Sequence, residues 1–76
     1  MDQKIISFFE TAYRKTPGSL SRDTKIREDL GGNSIFMVAV VANVEEEYDV
    51  IYSLPEASKA KTIGEFIDTV QTLVNG

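Results

Sequence analysis

The chain has 76 residues with a formal net charge of −4, and it contains neither Cys nor His. Disulfides, thiolate or imidazole metal sites and His-activated nucleophiles are therefore excluded. The acidic balance argues against nucleic acid, which requires a basic stripe, and against anionic membrane surfaces. The longest apolar run, Ile35–Ala42, is too short to span a bilayer, and the N-terminus lacks a cleavable signal pattern. We expect one cytoplasmic, monomeric domain over residues 1–76.

Two apolar stripes predict the first and last helices. The first helix is predicted from Asp2, as its cap, to about Lys15, where Thr16-Pro17-Gly18 stops it. The last is predicted from Ile63 to Val74, because Thr62 and Glu65 form a capping box before an apolar stripe. Both stripes have the three- and four-residue spacing of one helical face. Their members are Ile5, Phe8, Phe9, Ala12 and Tyr13 in the first, and Ile63, Phe66, Ile67, Val70, Leu73 and Val74 in the last.

A long loop is predicted from Pro17 to Asn33. Such a loop is unusual in so small a domain and is often functional. Leu20, Ile26 and Leu30 are isolated apolar residues within it. We expect all three to be buried and to hold the loop against the core.

The segment Ser34–Tyr48 begins with a continuous apolar run rich in β-branched residues, so a buried strand is possible. Its length exceeds that of an ordinary strand, and no second strand candidate stands beside it, which favours a helix. A short third helix is predicted over Leu54–Ala60, with Ser53 as cap and Glu56 completing a capping box. The fold class is therefore all-α: a four-helix bundle of three longer helices and one short helix.

The segment Gly31-Gly32-Asn33-Ser34 carries the functional signal. Gly31 and Gly32 precede two residues that could cap the next helix, Asn33 and Ser34. Only one of these two can be the N-cap. If Asn33 is the cap, the Ser34 hydroxyl lies free beside the positive end of the helix, a favourable place for a phosphate ester. The competing interpretation makes Ser34 the cap, but Met37 stands where a capping box needs Glu or Gln. A catalytic serine would have no His base, so no catalytic residue is assigned.

Several motifs resemble those of the acyl carrier and peptidyl carrier protein family. Glu28–Ile35 is similar to the family's acidic-D-L-G-(G/A)-(D/H/N)-S-(L/I) signature, and Val44–Tyr48 is similar to its L-E-E-E-F. Leu54-Pro55-Glu56 and Lys61–Phe66 resemble its short third helix and the T-V-G-D start of its fourth. The resemblance covers nearly the whole chain.

The resemblance implies a carrier rather than an enzyme. A phosphopantetheinyl transferase would move 4′-phosphopantetheine from coenzyme A onto Ser34. The arm would carry an acyl or aminoacyl group as a thioester between loading and condensing enzymes of fatty-acid, polyketide or nonribosomal-peptide biosynthesis. Tethering raises the effective concentration of the intermediate, and the small core could part to shelter an acyl chain. The alternative is a helical interaction domain of the same fold that never receives the arm.

The resemblance also implies a partner surface. The fatty-acid branch usually has Asp where this chain has Asn33, and carboxylates where it has Phe36 and Ala39, which points to a specialised pathway. We expect partner contacts at Asn33, Ile35, Phe36, Met37, Ala39, Glu45, Glu46, Glu47 and Glu56. From the residues alone, Phe36 and Met37 could equally belong to the core, and the Glu run could be plain solvated surface without a metal.

Overall fold

The computed structural model describes all 76 residues and contains five helices and no strand. The helices are α1 (Asp2–Ala12), α2 (Ile26–Leu30), α3 (Ser34–Tyr48), α4 (Leu54–Ala57) and α5 (Ile63–Asn75). The all-α prediction is confirmed, and Ser34–Tyr48 is helical despite its strand-like composition. The predicted long loop contains one additional short helix, α2. None of the helices has the length and apolar character needed to cross a bilayer.

Helix α1 ends at Ala12 rather than at Lys15, because the chain turns before the proline is reached. Arg14 adopts a left-handed conformation with φ of 58°. The Lys15 N–H donates to the Glu10 carbonyl at 2.8 Å and the Arg14 N–H donates to the Thr11 carbonyl at 3.3 Å. These bonds form a Schellman motif, which terminates the helix.

Two further boundaries differ from the prediction. Met1, not Asp2, is the N-cap residue of α1, and Asp2 lies in the first turn. From there the Asp2 carboxylate still interacts favourably with the positive N-terminal end of the helix dipole. Helix α4 stops at Ala57, while the Ala60 N–H bonds back to the Ala57 carbonyl at 3.2 Å in a turn.

The core lies between α1, α3 and α5. Helix α3 buries Met37, Val40, Val41 and Val44, whose spacing is that of one helical face. Phe9 and Phe66 are fully buried and meet edge to face, with ring centroids 4.9 Å apart. The burial of all four α3 side chains explains why this segment is helical, since in a strand some of the four would point away from the core.

Arg22 fixes the α1–α2 loop to two helices. Its guanidinium donates to the Asp68 carboxylate of α5 at 2.7 Å and to the Asp2 carboxylate of α1 at 3.1 Å. These bonds, to Asp68 first and then to Asp2, raise the pKa of Arg22. The Gly64 N–H donates to the Arg22 carbonyl at 2.8 Å, so the backbone of the loop is held as well.

Glu10 is a buried acid that organises the start of the same loop. Its Oε2 accepts hydrogen bonds from the N–H groups of Gly18 at 2.8 Å and Leu20 at 3.3 Å. We expect Glu10→Ala to lower the free energy of unfolding by about 2–3 kcal/mol, since two N–H groups lose a charged acceptor. Urea denaturation measures this. The control is Glu47→Ala, which removes an exposed pair with Lys4 and should cost under about 1 kcal/mol. Equal losses would contradict the role of Glu10.

The three apolar loop residues are not equally buried, which corrects the expectation. Ile26 lies in the core at 7% exposure, whereas Leu20 and Leu30 are only partly buried against it. We expect Ile26→Ala to cost about 2–4 kcal/mol, and Leu20→Ala and Leu30→Ala clearly less, because less apolar surface is lost. Urea denaturation of the three variants measures the loss of unfolding free energy for each. A larger loss for Leu20→Ala than for Ile26→Ala would contradict the expected order.

Tyr52 places an unpartnered hydroxyl in the core. The residue is 2% exposed and its phenolic oxygen has no hydrogen-bond partner. Burial raises the pKa of the Tyr52 phenol above its ordinary value. We expect Tyr52→Phe to leave stability unchanged or to raise it by up to about 1 kcal/mol, because an unsatisfied polar group leaves the core. A loss above about 1 kcal/mol in urea would reveal a partner for the hydroxyl.

Candidate functional site

Ser34 is the first residue of α3 and is exposed. The N-cap is Asn33, whose Oδ1 accepts a hydrogen bond from the Ile35 N–H at 3.0 Å. The Ser34 hydroxyl makes no hydrogen bond within the chain, in contrast to Ser53, whose Oγ caps α4. The interpretation of Ser34 as a capping residue is therefore wrong, and its hydroxyl is free to react.

The turn that presents Ser34 depends on glycine. Helix α2 ends at Leu30, and Gly31 follows with φ of 91°, a conformation that residues with a Cβ rarely adopt. The Gly31 N–H donates to the Arg27 carbonyl at 3.1 Å, which closes α2. Only Gly32 and Asn33 then separate this turn from α3, so the backbone positions Ser34 at an exposed corner.

The electrostatics at this corner suit an anion. The Ser34 and Phe36 N–H groups have no acceptor within the chain, and the first turn of α3 contains no acid. Unpaired N–H groups at a helix start attract negative charge. A phosphodiester on the Ser34 hydroxyl would lie beside these donors, so the residues present fit such a group.

The family model described as a phosphopantetheine attachment site matches residues 3–70. The chain belongs to this family. The family's prosthetic group is 4′-phosphopantetheine, and its members are carriers rather than enzymes.

Curated relatives of this carrier agree with that membership. An acyl carrier protein of Rickettsia bellii is 27% identical over 71 residues, covering 93% of this chain and 83% of the relative. The mitochondrial acyl carrier protein of Saccharomyces cerevisiae is 26% identical over 74 residues, covering 92% of this chain and 59% of the relative. The chain thus spans a little over half of that longer protein.

A solved structure shows the same fold. The solution structure of holo acyl carrier protein from Geobacter metallireducens superposes on the carrier with a TM-score of 0.73 at 19% identity. The superposition covers 97% of this chain and 86% of the other. At this identity the comparison establishes the fold.

The residues predicted to contact partners occupy different environments. Met37 is buried, so it belongs to the core rather than to an exposed contact surface. Phe36 is partly buried, and its ring meets that of Tyr13 edge to face at 5.3 Å between centroids. Of the nine, the exposed ones are Asn33, Ile35, Ala39, Glu46, Glu47 and Glu56.

Three of the predicted acids already have partners within the carrier. The Glu45 carboxylate accepts a hydrogen bond from the Tyr52 N–H at 2.9 Å, which ties α3 to the segment before α4. The Glu47 Oε2 atom lies 3.8 Å from Lys4 Nζ, and the Glu56 Oε1 atom lies 3.4 Å from Lys59 Nζ. Both ion pairs are exposed, so they are weak and easily exchanged for other contacts. Glu46 alone of the run is exposed and unpaired.

Two exposed apolar residues of α3, Val38 and Ala42, were not among the predicted partner contacts. Ile35 is 71% exposed and Val38 49%, and both Ala39 and Ala42 are exposed. The four residues form a continuous stripe, because their spacing is that of one helical face. We call Ile35, Val38, Ala39 and Ala42 the α3 stripe. The spacing was present in the sequence but hidden, since every position from 35 to 42 is apolar.

Proposed function

We propose that the chain is a discrete acyl carrier, a single domain over residues 1–76, whose Ser34 holds the phosphopantetheine arm. The observation that carries the proposal is the exposed Ser34 hydroxyl, released from capping by Asn33. The bound arm would supply a terminal thiol that carries an acyl or aminoacyl group as a thioester. The protein itself would present the attachment point and hold the phosphodiester beside the first N–H groups of α3.

The α3 stripe would form the contact with partner enzymes. It begins directly beside Ser34, and exposed contiguous apolar surface is typical of interaction sites. The acids Glu46 and Glu47 lie one turn beyond its end and would guide encounter with basic surfaces. We therefore infer that the transferase, loading and condensing enzymes offer an apolar pocket near Ser34 and positive charge farther away.

The start of α3 also bears on the pathway. It has no carboxylate at position 36 or 39, where Phe36 and Ala39 stand, and Asn33 stands where the fatty-acid branch usually has Asp before the serine. These features support a specialised pathway, polyketide or nonribosomal peptide in type, over general fatty-acid synthesis. We also predict that the protein is a monomer and that it acts in the cytoplasm.

The second candidate is an interaction domain that is never modified, supported by the same exposed stripe. Intact-protein mass spectrometry after incubation with coenzyme A and a broad-specificity transferase separates the two functions. We expect one phosphopantetheine per chain. If the chain stays unmodified while a known acyl carrier is loaded in the same tube, the interaction domain is the better description.

A further inference from the structure

A largely apolar groove lies between α5 and the segment that joins α3 to α4. Its volume is about 210 Å³. We call it the α5 groove, and its lining residues are Ile51, Tyr52, Ser53, Glu56, Thr69 and Leu73. None of these residues belongs to the α3 stripe, so the α5 groove is a separate surface.

The groove forms because the chain leaves α3 abruptly. Asp49 ends the helix in a left-handed conformation with φ of 54°. Burial then alternates along the following segment, since Tyr52 is buried in the core whereas its neighbour Ile51 is 86% exposed. Such alternation is typical of extended backbone, in which successive side chains point in opposite directions. Ile51 is therefore held outside the core, at the rim of the groove.

The floor of the α5 groove is fixed before any partner binds. The Tyr52 ring packs against that of Phe66, with 5.0 Å between the ring centroids. The Tyr52 N–H donates to the Glu45 carboxylate at 2.9 Å. Thr69 and Leu73 are four residues apart, so they line the groove from one face of α5. A preformed site of this kind loses little conformational entropy on binding.

The size of the groove fits one large apolar side chain. Pockets for drug-sized molecules enclose roughly 300–1,000 Å³, which is more than the 210 Å³ of the α5 groove. Ile51 and Leu73 are both exposed and provide apolar surface at the rim. Exposed contiguous apolar surface is typical of contacts with another protein, and a Leu or Phe side chain would bury it.

The charge around the groove favours a basic partner. Residues 43–58 and 62–76, which include the whole lining, contain no Lys or Arg and seven of the twelve acids of the chain. Three of these acids have a cation from another part of the chain: Lys4 pairs with Glu47, Lys59 with Glu56, and Arg22 with Asp68. The other four acids take part in no ion pair, so the surface stays negative and attracts positive charge.

The α5 groove and Ser34 lie beyond opposite ends of α3. Ser34 is the first residue of this 15-residue helix, and the groove residues follow its last residue, Tyr48. A helix of this length spans about 20 Å. A segment bound in the groove therefore leaves the Ser34 hydroxyl accessible to a transferase.

We propose that the α5 groove anchors a basic segment of a partner protein, whose Leu or Phe side chain fills the groove while its Lys or Arg residues face the surrounding acids. The anchored chain keeps Ser34 and the α3 stripe available to a different enzyme. This surface is independent of whether the arm is ever attached.

A synthetic peptide tests the surface directly. The probe is a short amphipathic helix with Leu on one face and Lys on the other, and two matched peptides replace Leu by Ala or Lys by Glu. In NMR titrations of the full chain, the Leu–Lys peptide should shift the amides of residues 50–56 and 69–74. The two matched peptides should bind at least about tenfold more weakly. Shifts confined to residues 33–42 would assign the peptide to the α3 stripe and overturn the proposal.

Matched variants separate the two surfaces. Ile51→Asp should weaken binding of the Leu–Lys peptide at least about tenfold. Since the new carboxylate attracts Lys, such a loss shows that the apolar contact holds the peptide. Val38→Asp makes the same change on the α3 stripe and should leave binding within about twofold. Equal effects of the two variants, or no effect of either, would overturn the proposal.

A loading assay shows whether the two surfaces are independent. Saturating Leu–Lys peptide should change the rate of transferase loading by less than about twofold, and Ser34→Ala should bind the peptide as the wild type does. Failure of loading with intact peptide binding would reject the carrier function and retain the anchor. Peptide binding that blocks loading would overturn the anchor, as would the same amide shifts with phosphatidylcholine vesicles, which would assign the groove to a lipid surface.

Discussion

Ser34→Ala should abolish the mass increase that the transferase produces, while the fold and its stability stay nearly unchanged. The Ser34 hydroxyl is the acceptor for the arm in our proposal, and no other group replaces it. Its removal should cost little free energy of unfolding because it makes no hydrogen bond within the chain and Asn33 provides the cap. Intact-mass spectrometry and urea denaturation measure the two outcomes on the same sample.

Ser53→Ala is the matched control for this experiment. Ser53 Oγ accepts a hydrogen bond from the Glu56 N–H at 3.3 Å, so this serine is a true cap. Its loss should lower stability by about 1 kcal/mol without affecting loading. Ser34→Ala should thus lose loading and keep its stability, whereas Ser53→Ala should keep loading and lose stability. Continued loading of Ser34→Ala would show that the arm is attached elsewhere.

Val38→Asp should reduce loading by the cognate enzyme at least about tenfold in kcat/KM. Val38 lies at the centre of the α3 stripe, where a partner pocket would have to desolvate the new carboxylate without a partner for it. Because Val38 is 49% exposed, the free energy of unfolding should change by less than about 1 kcal/mol. Steady-state loading rates and urea denaturation check both parts.

Ile51→Asp provides the matched control, since Ile51 is 86% exposed and lies outside the stripe. It makes the same chemical change and should leave loading within about twofold. Glu46→Gln should have a smaller effect than Val38→Asp, because charges at the rim contribute less than buried apolar contacts. If Glu46→Gln instead abolishes loading while Val38→Asp loads normally, docking depends on acids and the specialised-pathway interpretation loses its support.

The choice of Val38 rather than Phe36 for this test comes from the structure. Phe36 is one of the partner contacts that the resemblance implies, but its ring packs on that of Tyr13, with 5.3 Å between the ring centroids. Phe36→Ala would therefore remove core packing together with any partner contact, and a loss of loading could not be assigned. Val38 and Ile35 lie on the side of the same helix that faces away from the core.

Local sequence determined the major helices and the turn that presents Ser34. The stripes of α1 and α5 repeat at helical spacing, and the Gly31-Gly32-Asn33-Ser34 segment contains its own turn and cap. Such features depend on neighbours within four residues, which are visible along the chain. The length of Ser34–Tyr48 was likewise sufficient to favour a helix, although its composition favoured a strand.

Only the tertiary structure decided which residues of these helices are exposed and which charges meet. The apolar run of α3 has no polar face, so packing against α1 and α4 selects Met37 for the core and Val38 for the surface. Helix α2, with five residues, is too short to show periodicity and depends on contacts around Ile26. Arg22 and Asp68 are brought together by a hydrogen bond between distant backbone segments, a pairing that no local pattern encodes.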